Sequence, residues 1–138
     1  MNLASGIALA SAVIALLALA VAAWTFRQGA ELNAFLVFTE RYEKIMSELP
    51  HEARLHPEWN PEVDKDFAIR LRYLNLCSEE FYLKKRCLLS ARVWGIWKTE
   101  MTSTLASRPY RDAWQQLRPH FSSYPEFSEF VDDCQTAR

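Results

Sequence analysis

Up to Phe26 the chain carries no acidic or basic side chain; the first is Arg27. Glycine is scarce, at 3 of 138 residues, and proline modest at 6, which excludes collagen-like and low-complexity disordered chains. Cysteine is few and odd-numbered (Cys77, Cys87, Cys134), with no CxxC pair. That excludes a disulfide framework and zinc knuckles, and it suits a reducing compartment. Neither sign of charge dominates: the net charge is −1 and the pI near 6.3, without the basic footprint that nucleic acid requires. No run alternates as a half-buried strand would, so a sheet is not expected.

What is present begins with an apolar run. Ile7 to Phe26 reads IALASAVIALLALAVAAWTF, interrupted only by Ser11 and Thr25. Twenty helical residues span ~30 Å, the thickness of a hydrocarbon core. The nine Leu, Ile, Val and Phe residues among them favour insertion by roughly 3 to 5 kcal/mol. Trp24 stands where an interfacial anchor belongs. A cleaved signal peptide is the rival, since Ala18-Leu19-Ala20 and Ala20-Val21-Ala22 resemble cleavage sites. Against it, no Lys or Arg precedes the run, and the run exceeds the ~7–15 residues of a signal h-region. Arg27, Arg41 and Lys44 follow the helix, so the positive-inside rule places the N-terminus outside and the rest in the cytoplasm of an inner or plasma membrane.

The expected division is therefore a transmembrane anchor over residues 1–30 and a helical cytoplasmic domain over 31–138. Within the anchor, Ala4, Ala8, Ser11, Ala15, Ala18 and Ala22 form a heptad stripe of small residues that continues through Thr25 and Gly29. Such stripes let helix backbones approach closely in lipid, which makes these residues candidates for packing against another transmembrane helix, a second copy or a partner's. Small residues are abundant throughout this segment, so composition alone accounts for much of the pattern.

After the anchor, 16 of the 18 aromatic residues occur, enough with the aliphatics for one core without staples. Phe35, Phe38, Tyr42, Ile45 and Leu49 recur at 3-4 spacing and predict a helix over 31–49, free to continue from the anchor. The segment from Pro50 to Pro61 holds three prolines (Pro50, Pro57, Pro61) and reads as a loop. A second helix is expected from about Pro61, with Glu62, Asp64 and Asp66 at its positive end and Lys84, Lys85 and Arg86 at its negative end. Its stripes (Phe67, Leu71, Leu74, Phe81 and Ile69, Tyr73, Leu76, Leu83) are wide enough for the centre of a bundle. Ser90 predicts the cap of a third helix carrying Val93, Trp94, Trp97, Met101 and Leu105. Pro109 opens a short fourth with Tyr110, Trp114 and Leu117, ended by Pro119, and Pro125 opens a last one through Phe127, Phe130 and Val131. The fold class is all-α: one N-terminal transmembrane helix, then a small four- to five-helix bundle.

The stretch Arg72 to Leu83 (RYLNLCSEEFYL), with Val93-Trp94-Gly95-Ile96-Trp97 and Tyr124-Pro125-Glu126-Phe127, resembles small bacterial membrane-anchored helical proteins of unknown function. The resemblance implies an architecture and carries over no functional residue. It also implies Gly and an acid in the turn where this chain has Cys87 and Ser90.

Candidate chemistry is thin, and no catalytic, cofactor-binding or metal residue is assigned. His51 and His56, near Glu52 and Glu58, lie five apart across a loop, a poor spacing for zinc. Cys77 falls in mid-helix as a buried thiol, whereas Cys87 follows three basic residues that favour a thiolate. Glu79 and Glu80 are adjacent and point apart on a helix, which is unsuited to paired-carboxylate catalysis. Arg72, Asn75 and Glu79 share one face and are the candidates for a polar network inside the bundle. Lys84–Arg86 is shorter than the ~4–8 basic residues of a lipid-headgroup patch, and Trp94 with Trp97 reads as core.

These features lead to the expectation of a non-enzymatic, membrane-tethered interaction module, an accessory subunit of a larger complex. Its expected contacts are the bilayer and another transmembrane helix, with no nucleic acid and no cofactor. The alternatives are an enzyme complete only on oligomerisation and a secreted or periplasmic helical protein.

Overall fold

A computed structural model describes residues 3–49 and 67–136, with side-chain surroundings from residue 6. These residues form five α-helices and no strand. Helix α1 is Leu3–Ser47, α2 Phe67–Lys85, α3 Ala91–Leu105, α4 Arg108–Leu117 and α5 Pro125–Thr136. The helix expected over 31–49 is thus the second half of α1. Between the anchor and that half Gly29 is the one helix-weakening residue, and one such glycine costs only about 1 kcal/mol.

Two compact units are delimited, Met1–Phe35 and Leu36–Arg138, later in the chain than a division after residue 30. In the first unit, α1 is long and apolar enough to cross a membrane. Its large apolar side chains from Ile7 to Phe26 are all exposed, Leu16 to 67% and Trp24 to 62%. Ala8, Ser11, Ala15, Ala18 and Ala22 are exposed on the same helix, and the Thr25 hydroxyl donates back to the Val21 carbonyl (2.9 Å). The surroundings of the Ala4 side chain lie outside the described residues.

In the second unit, local chemistry sets each boundary. The N-terminal start expected for α2 near Pro61, with its acidic residues, and the Pro50–Pro61 loop lie outside the described residues. At its other end α2 closes in a Schellman motif. The Leu88 N–H donates to the Leu83 carbonyl (2.9 Å) and the Cys87 N–H to the Lys84 carbonyl (3.0 Å). Cys87 takes the left-handed position this motif requires, with φ 55°. Ser90 caps α3, its hydroxyl accepting from the Val93 N–H (3.3 Å). Pro109 sits in the first turn of α4, where a missing N–H costs nothing. The chain does not stop at Pro119 but tightens into a 3-10 turn, Arg118–Phe121, before Pro125 opens α5.

Helix α3 packs along α5, α2 against α4, and the 3-10 turn joins α4 to α5. Phe81 of α2 is the hub of the core, with Trp94, Tyr124, Phe127 and Phe130 at centroid distances of 5.0 to 6.1 Å. Phe127 also meets Phe121 at 5.2 Å, which in turn meets Trp114 at 5.8 Å. Burying each ring is worth about 2–3 kcal/mol, and favourable ring pairs add ~1 kcal/mol. Both Trp94 and Trp97 are core residues, Trp97 buried and Trp94 half-buried.

Candidate functional site

The C-terminal turns of α1 seat on the bundle through side chains of alternating character. Ile45 is buried, Phe38 meets Trp97 of α3 at 5.4 Å, and Tyr42 meets Tyr73 of α2 at 6.1 Å. The row of rings continues from Tyr73 to Tyr110 of α4 at 5.2 Å. Flanking the rings are two ion pairs. Arg41 donates to both carboxylate oxygens of Glu79 (2.5 and 3.0 Å) while lying over the Phe38 ring, and Arg72 pairs with Glu48. The Glu79 partner and burial-induced loss of water act in opposite directions on Arg41, and the net effect raises its pKa.

The three expected network residues thus face outward. Arg72, Asn75 and Glu79 are exposed; Glu79 takes its partner from α1 and Arg72 from the turn that follows α1, rather than from one another. Spacing correctly places them on one face, but a face at the rim of the α1 seat and not inside the bundle. The charged residues that are inside are Arg70 and Glu80. Glu80 lies on the same helical line as Tyr73 and Cys77, four and three residues apart, so the apolar periodicity of α2 carries it inward. Burial pushes its carboxyl up to about 8, and nearby Glu79 adds to this while Arg41 opposes it. The thiol of Cys77 and the phenol of Tyr73 are raised well above their usual ranges by the same burial.

Beside this seat a shallow groove of about 380 Å³ is lined by Phe38, Ser78, Glu79, Tyr82, Leu83 and Tyr124. Tyr82 is exposed, and the Tyr124 hydroxyl is buried without a hydrogen-bond partner among the described residues. A second cavity of about 520 Å³ lies by Arg118, Ser122 and Glu129. Next to it, the Trp114 indole N–H donates to Asp132 (2.7 Å) and Arg118 pairs with the same carboxylate (2.9 Å).

The remaining candidates have structural surroundings. Lys85 pairs with Glu126 at the start of α5 (3.1 Å) and lies over Phe81, so this one member of the Lys84–Arg86 triplet ties α2 to α5. Cys77 and Cys134 are buried and Cys87 is exposed, all three free thiols. Among the described residues no group of three or more His, Cys, Asp or Glu side chains is placed to hold a metal. His51 and His56, with Glu52 and Glu58, lie outside the described residues.

With Glu79 engaged by Arg41 and Glu80 in the core, the two adjacent carboxylates do not converge on a common point. The arrangement provides a rim of ion pairs, an aromatic groove and a buried acid. No protein-family model matches the chain, and neither a curated protein nor a solved structure matches it.

Proposed function

We propose that this chain is a single-pass membrane-anchored interaction module, the first part of α1 spanning the bilayer and the bundle standing in the cytoplasm. One observation carries the reading: from Ile7 to Phe26 every large apolar side chain is exposed, on a helix long enough to span. In water each such side chain costs about 1.5–3 kcal/mol relative to burial, whereas hydrocarbon accepts them all. The buried core helix of a soluble protein would not present them. Arg27, Arg41 and Lys44 support the cytoplasmic orientation of the bundle.

Interaction, rather than catalysis, is favoured for the bundle because Glu79 is engaged by Arg41 and its neighbour Glu80 is buried, so the two do not form a catalytic pair. Association through the stripe that includes Ala15 and Ala18, with a second copy or a partner's helix, completes the reading. The resemblance to small membrane-anchored bacterial proteins is in keeping with it.

The test is extraction of the full-length chain from its native membrane in mild detergent, with intact mass and co-purifying proteins identified. An uncleaved chain holding a stoichiometric partner is the expected result; a soluble chain shortened near Ala22 would instead make the run a signal peptide. Orientation is read at Cys87, the exposed thiol. A membrane-impermeant maleimide should label it only after the membrane is opened, and labelling of sealed cells would place the bundle outside.

A further inference from the structure

The cavity of about 520 Å³ between the end of α4 and the start of α5 takes no part in the interaction reading, and the charges that face it are held apart. Arg118, Ser122, Ser128 and Glu129 line it, with Pro119 and Pro125 as apolar wall. Arg118 donates from Nε and Nη2 to Asp132 (3.3 and 2.9 Å), and Asp132 is itself fixed by the Trp114 indole (2.7 Å). The Nη1 nitrogen has no partner among the described residues. Glu129 stands three residues before Asp132 on α5, about 5–6 Å away between Cβ atoms, yet it forms no ion pair among the described residues. An acid and a base facing one cavity would ordinarily close on each other; here Asp132 holds the guanidinium back. The third polar group is buried. Ser128 is 5% exposed, and its hydroxyl donates only at 3.4 Å to the Phe121 carbonyl, which already accepts the Tyr124 N–H at 2.9 Å. The Ser128 oxygen can accept in turn, and no donor reaches it among the described residues.

We propose that this cavity binds a small zwitterion of the α-amino-acid type, its carboxylate on the Nη1 edge of Arg118 and the Ser122 hydroxyl, its ammonium on Glu129 and the Ser128 oxygen. The volume falls within the ~300–1,000 Å³ of small-molecule sites and leaves room for a side chain against the two prolines. An anion alone would be opposed by Glu129, and a cation alone by Arg118. Only a molecule carrying both charges meets a partner at each end. Because Asp132 and Trp114 already fix the guanidinium, the ligand does not have to order it, which lowers the cost of binding. The site lies wholly within the second unit and holds whether or not α1 spans a membrane.

The experiment titrates the full chain, in a mild non-ionic detergent, with each of the standard amino acids and follows backbone amide chemical shifts. At least one should give saturable shifts confined to residues 115–130, with a Kd on the order of 1 mM. Replacing that amino acid by the matching carboxylic acid, which lacks the ammonium, or by the matching amine, which lacks the carboxylate, should weaken binding about tenfold or more. Glu129→Gln should weaken the amino acid by a similar factor while leaving the carboxylic acid no weaker. Arg118→Gln should do the converse, weakening the amino acid and sparing the amine. Glu129 is exposed and unpaired, so its variant keeps the test decisive should Arg118→Gln, which also loses the Asp132 pair, fail to fold. Absence of saturable binding by any amino acid would overturn the proposal. So would a carboxylic acid or an amine that binds as tightly as its amino acid, since the cavity would then read a single charge.

Discussion

The two units of this chain place their apolar residues in opposite ways. Met1–Phe35 is built on alanine and branched aliphatics, carries no charge before Arg27, and leaves its large side chains exposed on a single helix. Leu36–Arg138 interleaves charge with aromatic rings and folds those rings onto one another around Phe81 and Phe127. The first unit is richer in apolar residues, and the pattern separates the two further. A charge-free run gives a helix no polar face to turn toward water, whereas a 3-4 stripe leaves one polar side and so permits a bundle. The same side-chain truncation should therefore have very different consequences in the two units.

The largest contrast is expected at Phe127, which is fully buried, against Leu16. Phe127→Ala should cost about 3–5 kcal/mol, from lost transfer energy and the cavity left among the rings. Leu16→Ala should leave the unfolding of the bundle unchanged. Denaturant unfolding of the full chain in detergent, followed by near-ultraviolet circular dichroism, checks both. A comparable loss at Leu16 would show that this side chain is covered by protein.

A smaller effect is expected at the Trp114–Asp132–Arg118 contact. Burial raises the Asp132 carboxyl, but the hydrogen bonds from Arg118 and Trp114 together outweigh it and leave the group below its usual value. Trp114→Phe keeps a ring and removes the N–H donor, at a cost of about 1–1.5 kcal/mol after allowing for solvent at the half-exposed carboxylate. The sign of the pH dependence is opposite to that of a raised acid such as Glu80. A depressed acid contributes stability above about pH 4 and loses it as the pH falls through the folded-state value. The cost of Trp114→Phe should accordingly shrink toward pH 3, and a constant cost would assign it to ring packing.

Much of the fold was legible because its signals are local. Ser90, Pro109 and Pro125 mark helix starts through their own backbone chemistry, and the stripes of α2 and α3 name most of the core. The α1 seat was not legible, because periodicity gives the direction of a side chain and not its depth. Arg72, Asn75 and Glu79 share a face, but whether that face is rim or interior depends on where the last turns of α1 lie. Glu80 was hidden for a different reason. Charge type argues for the surface, and its register with Tyr73 and Cys77, the one signal that could have found it, argues for the core. The 3-10 turn at Arg118–Phe121 also escaped, since Pro119 ends an α-helix without forbidding a tighter one.

At the turn after α2, sequence type and backbone requirement disagree. A left-handed position costs a residue with a Cβ about 1 kcal/mol relative to glycine, and Cys87 occupies one. The two Schellman hydrogen bonds hold it there. Cys87→Gly should therefore stabilise the bundle by about 1 kcal/mol in denaturant unfolding. A loss instead would mean that the thiol makes contacts worth more than the strain.

The smallest effect compares glycines across the two units. Gly95 lies inside α3 and Gly29 inside α1, and a Cβ added at either meets nothing within 4 Å. Alanine fits both helices and restricts the unfolded chain, so the backbone gain is about 0.5–1 kcal/mol wherever the helix melts with the measured transition. Gly95→Ala should deliver that gain, because α3 is part of the cooperative core. Gly29→Ala should not, if the helix around it persists when the bundle unfolds, as a segment embedded in hydrocarbon would. Equal gains at the two positions would mean that α1 melts with the bundle through Gly29, and a gain at Gly95 alone would separate the cooperative unit from the helix that precedes it.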